Sequence, residues 1–222
     1  MMNYFQLLAK LDSIYQRNQG KSLTGRNLVQ KIQQAIPFTE CKIVQNNTLA
    51  IYNTNLQVSG VYDPELDVDG MPPIEVEISF PKKQPEFTLD DSDLTRQQWN
   101  NMIVDVVGTL GHEFIHMSQF RRRQFRWGRC YTSNSQTQAV SDAQEYYGIP
   151  DEVDAYAWTA AANMTHGLIN NGEPYRIEQT GIYQIYKAVF DKKHPVVLKL
   201  CKLSNRYYKL LERQYYDTCK TN

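Results

Sequence analysis

His112 and His116 stand four residues apart in the stretch Gly111-His-Glu-Phe-Ile-His-Met117, and Glu113 directly follows the first of them. On a helix, side chains four apart are neighbours. Two imidazole nitrogens so placed can meet one metal ion at about 2.0–2.1 Å. Glu113 points elsewhere on the wheel and is a poor third ligand, but it can reach a water on that metal and take its proton. The chemistry the spacing predicts is metal-assisted hydrolysis, with His112 and His116 as ligands and Glu113 as general base.

Such a site needs a helix that holds the two rings together. Residues 92–125 carry a helical pattern, with Ser92 or Asp93 able to cap its start. Trp99, Met102, Ile103, Val106, Val107, Leu110, Phe114 and Met117 fall on one broad apolar face. The two histidines lie at its margin. Gly108 and Gly111 weaken the helix interior and are expected where something packs close behind the histidines.

Two histidines do not complete a catalytic zinc site, which normally has three protein ligands and a water. A second helix is predicted to start at Pro150, with Asp151, Glu152 and Asp154 near its beginning. Acids in a first helical turn also complement the helix dipole with no metal involved. Glu145, His166 and His194 are further candidates. His166 lies fourteen residues beyond Glu152, about 21 Å along a straight helix, so those two cannot share a site.

The pair of stretches His-Glu-Phe-Ile-His and Asp-Glu-Val-Asp-Ala-Tyr-Ala-Trp-Thr-Ala-Ala resembles the gluzincin class of zinc metallopeptidases, in particular HExxH proteins of phage and mobile-element type. The resemblance covers these two motifs and not the whole chain. It implies zinc held by His112, His116 and Glu152, Glu113 as base, and a protein or peptide substrate. It also implies an α+β, mainly helical zincin-like domain, with a small antiparallel sheet whose edge strand receives substrate beside the active-site helix. The position four residues after Glu152, an aspartate in thermolysin-like gluzincins, is Tyr156 here. Asp154 is the nearer acid and the alternative ligand. Tyr156 is the available candidate for a further substrate contact.

The remaining sequence supplies the frame. Its 222 residues suit a single domain, divisible into N-terminal helices and small sheet (1–90), the two motif helices (91–170) and C-terminal helices (171–222). A helix is expected over residues 3–17, and another that ends at Pro37. Cys41–Gln45 and Thr48–Thr54 read as strands joined by a turn at Asn46-Asn47. Ile74, Val76, Ile78 and Phe80 alternate with Glu75, Glu77 and Ser79, the clearest strand of the chain and the candidate substrate-binding edge. Val61–Pro73 reads as an acidic loop without the residue order of a calcium loop. Later helices are predicted over Ile177–Phe190 and Val196–Tyr216.

Basic and acidic residues balance at 24 each, which gives no global attraction to nucleic acid or anionic lipid. A local exception is the cluster Arg121, Arg122, Arg123, Arg126 and Arg129, interleaved with Phe125 and Trp127, which is suited to phosphates and bases. Cys41, Cys130, Cys201 and Cys219 are scattered and form no CxxC pair. No apolar run reaches membrane-spanning length, and the first residues do not read as a secretory signal. The expectation is a cytoplasmic protein with free thiols.

Overall fold

The computed structural model describes residues 3–49, 56–81, 86–126 and 140–221. It is α+β and mainly helical. Two compact units divide it, Met1–Leu110 and Gly111–Asn222.

In the first unit, α1 (Tyr4–Asn18) starts where the Asn3 side chain accepts from the Gln6 N–H. It buries Tyr4, Leu7, Leu8, Leu11 and Ile14 on one face. Thr24 caps α2 (Gly25–Ala35) in the same way. That helix stops at Ala35 because Ile36, which precedes Pro37, is held extended at φ −82° and ψ 118°. Trp99 is fully buried in this unit, against Tyr15 and Phe87.

β1 (Lys21–Thr24) pairs antiparallel with β5 (Glu86–Leu89). A second sheet has the order β2-β4-β3, from β2 (Cys41–Leu49), β3 (Gln57–Tyr62) and β4 (Ile74–Pro81). It is mixed rather than antiparallel: β2 runs parallel to β4, and β3 runs antiparallel to it. The turn expected at Asn46-Asn47 is absent. β2 continues through both residues, because the Asn46 amide donates to Glu77 Oε1 on β4 at 2.8 Å and so works across the sheet instead of closing a hairpin. The register slips between Asn46 and Leu49. Residues 50–54 of the second expected strand lie outside the described residues.

β4 is correctly read as a strand, but it is the central one. Neighbours pair on both of its sides, so it has no free edge for substrate. Ile74, Val76 and Ile78 are each 0% exposed and belong to the core, which overturns their assignment as substrate contacts. Alternation shows which face is buried and cannot show whether the edges are paired.

The acidic stretch after Tyr62 contains a short helix, α3 (Pro64–Val68). The Asp63 carboxylate caps it, accepting from the Glu65 and Leu66 N–H groups. Asp67 accepts from the Tyr62 hydroxyl at 2.8 Å. These acids serve the local fold.

α4 (Asp93–Arg122) runs from the first unit into the second. It ends where Gln124 and Phe125 adopt positive φ. The second unit continues with α5 (Val140–Gly148), α6 (Pro150–Asn171), a single 3₁₀ turn at Ile177–Gln179, α7 (Gly181–Val189) and α8 (Pro195–Thr221). The helix expected over Ile177–Phe190 is thus interrupted. Thr180 bonds back to the Ile177 carbonyl and caps α7 by accepting from the Tyr183 N–H. Ala155, Ala157, Ala160, Ala161 and Ala162 are fully buried on α6, which lets neighbouring helices approach closely. Val153, Ala157, Met164, Tyr186, Val197 and Leu200 centre the core of this unit. Among the described residues, no helix is long and apolar enough to cross a membrane.

Candidate metal centre

His112, His116 and Glu152 come together, two from the last turns of α4 and one from the first turn of α6. Their Nε2, Nε2 and Oε2 atoms form a triangle. The two nitrogens are 3.1 Å apart, and Oε2 lies 3.9 Å from His112 and 3.6 Å from His116. One point sits about 2.1 Å from all three, which is the bond length of a small divalent metal to imidazole nitrogen or carboxylate oxygen. Among the described residues this is the one group of His, Cys, Asp and Glu side chains able to hold a metal ion.

The hydrogen bonds around the rings say more than the distances. Gln119 donates through Nε2 to Asp154 Oδ2 at 3.2 Å and to the Asp151 carbonyl at 3.3 Å. Its Oε1 must therefore accept from His116 Nδ1–H, 3.2 Å away. The Thr159 hydroxyl lies 3.4 Å from the Ala155 carbonyl and 3.2 Å from His112 Nδ1, and when it donates to the carbonyl it accepts from His112 Nδ1–H. With both Nδ1 atoms protonated, both Nε2 atoms turn lone pairs into the triangle. Glu152 Oε2 is buried there and makes no hydrogen bond. In these neutral tautomers three acceptors face one another, an arrangement that costs free energy unless a cation, a metal ion or a proton on His116, fills it.

Electrostatics reflect the same demand. Burial, reinforced by the neighbouring His116, pushes His112 down to about 4. Burial also opposes a charge on His116, but Glu152, Glu113 and Gln119 outweigh it and hold that ring above the ordinary imidazole value. For Glu152, burial pulls upward and the two histidines win, keeping the carboxyl below its usual range. Without a metal, a proton on His116 is the cation the cluster recruits, and metal and proton compete for one lone pair.

Glu113 is only 6% exposed, and its charge acts on both His116 and Tyr156. Tyr156 sets its ring edge against His112, with centroids 4.7 Å apart. Its hydroxyl interacts with Tyr146, which also interacts with Glu152. Tyr147 and Tyr186 pack around Tyr156 and complete a tyrosine wall. Tyr146 and Tyr147 belong to α5, an element the sequence pattern did not suggest. Gln119 and Thr159 were missed as well. A weak signal existed: Gln119 is three residues beyond His116, and Thr159 is seven beyond Glu152, each on its ligand's helical face.

The three acids of α6 separate into three roles. Glu152 joins the triangle. Asp151 pairs with Arg123. Asp154 is committed to Gln119 and to the Tyr207 hydroxyl, 2.9 Å away, and is not in the metal-capable group. Of the other candidates, Glu145 is exposed. His166 meets Tyr175, and His194 stacks on Phe190. In the arginine cluster, Arg121, Arg122 and Arg126 are exposed while Arg123 is held by Asp151; Trp127 and Arg129 lie outside the described residues. Cys41 and Cys201 are free thiols, and Cys130 lies outside the described residues. An open cleft between α2 and β2 is lined largely by side-chain amides. Its lining residues include no acid, histidine or cysteine.

Gly111 shows what packs behind the histidines. A Cβ built there would lie 1.8 Å from Trp158 Nε1 and 2.3 Å from its Cε2. Alanine would gain about 1 kcal/mol of helix propensity, whereas overpacking costs about 1–3 kcal/mol, and more when the neighbour cannot move. Trp158 is 93% buried by its 7% exposure and is wedged against Tyr207. Gly111→Ala is therefore expected to destabilise the protein by ~2 kcal/mol and to loosen the metal centre. Urea unfolding would show a lower midpoint at unchanged slope. An unchanged midpoint would mean that the indole moves aside at little cost.

The chain matches no protein-family model, no curated protein and no solved structure.

Proposed function

We propose that this chain is a zinc-dependent metallopeptidase in which His112, His116 and Glu152 hold the metal and Glu113 is the general base. The carrying observation is the buried triangle in which His112 Nε2, His116 Nε2 and Glu152 Oε2 converge at metal-bond distance from one point. Two imidazoles and one carboxylate suit zinc, and three protein ligands leave the fourth position that catalysis needs. Zinc bound there would lower the pKa of a water and polarise the scissile carbonyl.

The protein's own groups do the rest. Glu113 takes the water's proton and returns it to the leaving amine. Thr159 and Gln119 hold the two imidazoles in the tautomer that ligates. The tyrosine wall excludes bulk water from one side, which strengthens each charge interaction inside. The choice of a peptide over another acyl substrate rests on the resemblance of the two motifs to gluzincins.

A structural metal is the second reading, favoured by the low exposure of the ligands: 12%, 5% and 10% for the His112, His116 and Glu152 side chains. Structural zinc sites are closed by four protein ligands, however, and three are present among the described residues. The first test is metal content. Purified protein, dialysed and analysed by plasma emission, is expected to carry about one zinc per chain. Protein that is metal-free and also takes up none would remove both readings. Incubating the loaded protein with a peptide library and reading new termini by mass spectrometry then separates them, since a structural site cleaves nothing.

A further inference from the structure

We infer that Tyr207, Asp154 and Gln119 form a one-way hydrogen-bond relay that positions His116 from the C-terminal helix α8. This rests on the metal-centre reading above and adds how one ligand of that site is set. The relay begins with Asp154, whose carboxylate can only accept. The Tyr207 hydroxyl donates to Oδ1 at 2.9 Å, and Gln119 Nε2 donates to Oδ2 at 3.2 Å. This fixes which end of the Gln119 amide faces the ring. Oε1 then accepts from His116 Nδ1–H at 3.2 Å, and the Nε2 lone pair is left for a metal.

An amide between the acid and the histidine is not equivalent to a carboxylate in direct contact. A carboxylate would hold the same tautomer but could also draw off the ring proton. Gln119 cannot take a proton, so it passes on the orientation of Asp154 without its basicity. Gln119 is 5% exposed, which shields the relay from competing water. Asp154 supports the site at one remove, and Gln119 spans the gap. Tyr207 packs its ring on Trp158 at 5.6 Å between centroids, so α8 meets α6 at the indole and at Asp154. These three are positioning residues. None belongs to the triangle itself.

The decisive variants are Gln119→Leu, which removes both ends of the amide, and Tyr207→Phe, which keeps the ring and removes only the hydroxyl. Two measurements keep the relay separate from the metal reading. Long-range proton–nitrogen spectra of the imidazoles, on metal-free protein at a pH where both rings are neutral, report the tautomer. Wild-type His116, assigned by comparison with His116→Asn, is expected as Nδ1–H; Gln119→Leu should shift it towards Nε2–H, and Tyr207→Phe should give a mixture. Competition with a chromophoric chelator reports zinc affinity, with an expected loss of about 10–100-fold in Gln119→Leu and a smaller one in Tyr207→Phe. Metal-free Tyr207→Phe should still unfold cooperatively, with its midpoint lowered by no more than one lost hydrogen bond accounts for, which separates positioning from packing. Wild-type His116 found as Nε2–H, or tautomer and affinity unchanged in both variants, overturns the relay. A protein that binds no zinc yet shows the expected tautomer shift retains the relay and loses the metal reading.

Discussion

Glu113→Gln is expected to keep the metal and lose hydrolysis. The substitution is nearly isosteric, so a side chain that is 6% exposed should still fit its place. What changes is basicity: an amide oxygen does not take a proton from water near neutral pH. General-base catalysis is worth about 10²–10⁴ in rate, and a loss of that size in kcat/KM is expected on any peptide the wild type cleaves. Zinc content should stay at the wild-type level, because Glu113 is not in the triangle. Parallel progress curves and metal analysis on the same preparations give the answer. A variant that cleaves at the wild-type rate would remove Glu113 from the mechanism. A variant that loses its metal would make it a structural support of the site.

Glu152→Ala is expected to have the largest effect on metal binding among the acids of α6. Removing it leaves two imidazoles, and ligand number and geometry set affinity. The loss should exceed the ~10–100-fold typical of a residue outside the ligand set, which is the range expected for Asp154→Ala through Gln119. Asp151→Ala should sit near wild type, since its partly exposed pair with Arg123 is of a kind worth about 0–1 kcal/mol and touches no ligand. Chelator competition ranks the three. An order with Asp154 above Glu152 would place the ligand two residues further along α6. Equal and small effects from all three would mean that the third ligand lies elsewhere.

The local parts of the site were readable because their spacing is physical. Four residues on a helix bring His112 beside His116 whatever surrounds them, and Pro150 announces a helix start. The approach behind the histidines was readable from Gly111, although its partner, Trp158, was not. Long-range pairing left no comparable trace. Ile74, Val76 and Ile78 alternate in the same way in an edge strand and in a central one, so β4 was legible as a strand and misjudged as an edge. Asn46-Asn47 looks like a turn until Glu77 is placed across from it. The hydrogen-bond partners of His112 and His116 were hidden for the same reason. A lone glutamine, threonine or tyrosine carries no spacing code, and Gln119, Thr159 and Tyr207 gain their roles only when α4, α6 and α8 are packed.

The amide of Gln33, on α2, has a consequence of another kind. Its Nε2 donates to the Cys41 carbonyl at 3.1 Å, and its Oε1 accepts from the Ile43 N–H at 2.6 Å. Those two backbone groups point away from β4, on the side of β2 where no strand follows among the described residues. A side-chain amide has the same donor and acceptor as a peptide unit, so Gln33 imitates one rung of a missing strand. A bare strand edge is a template on which other chains can add and aggregate. By occupying the start of that edge, Gln33 acts as a guard on colloidal behaviour, and its loss would be felt first in how concentrated the protein can be kept.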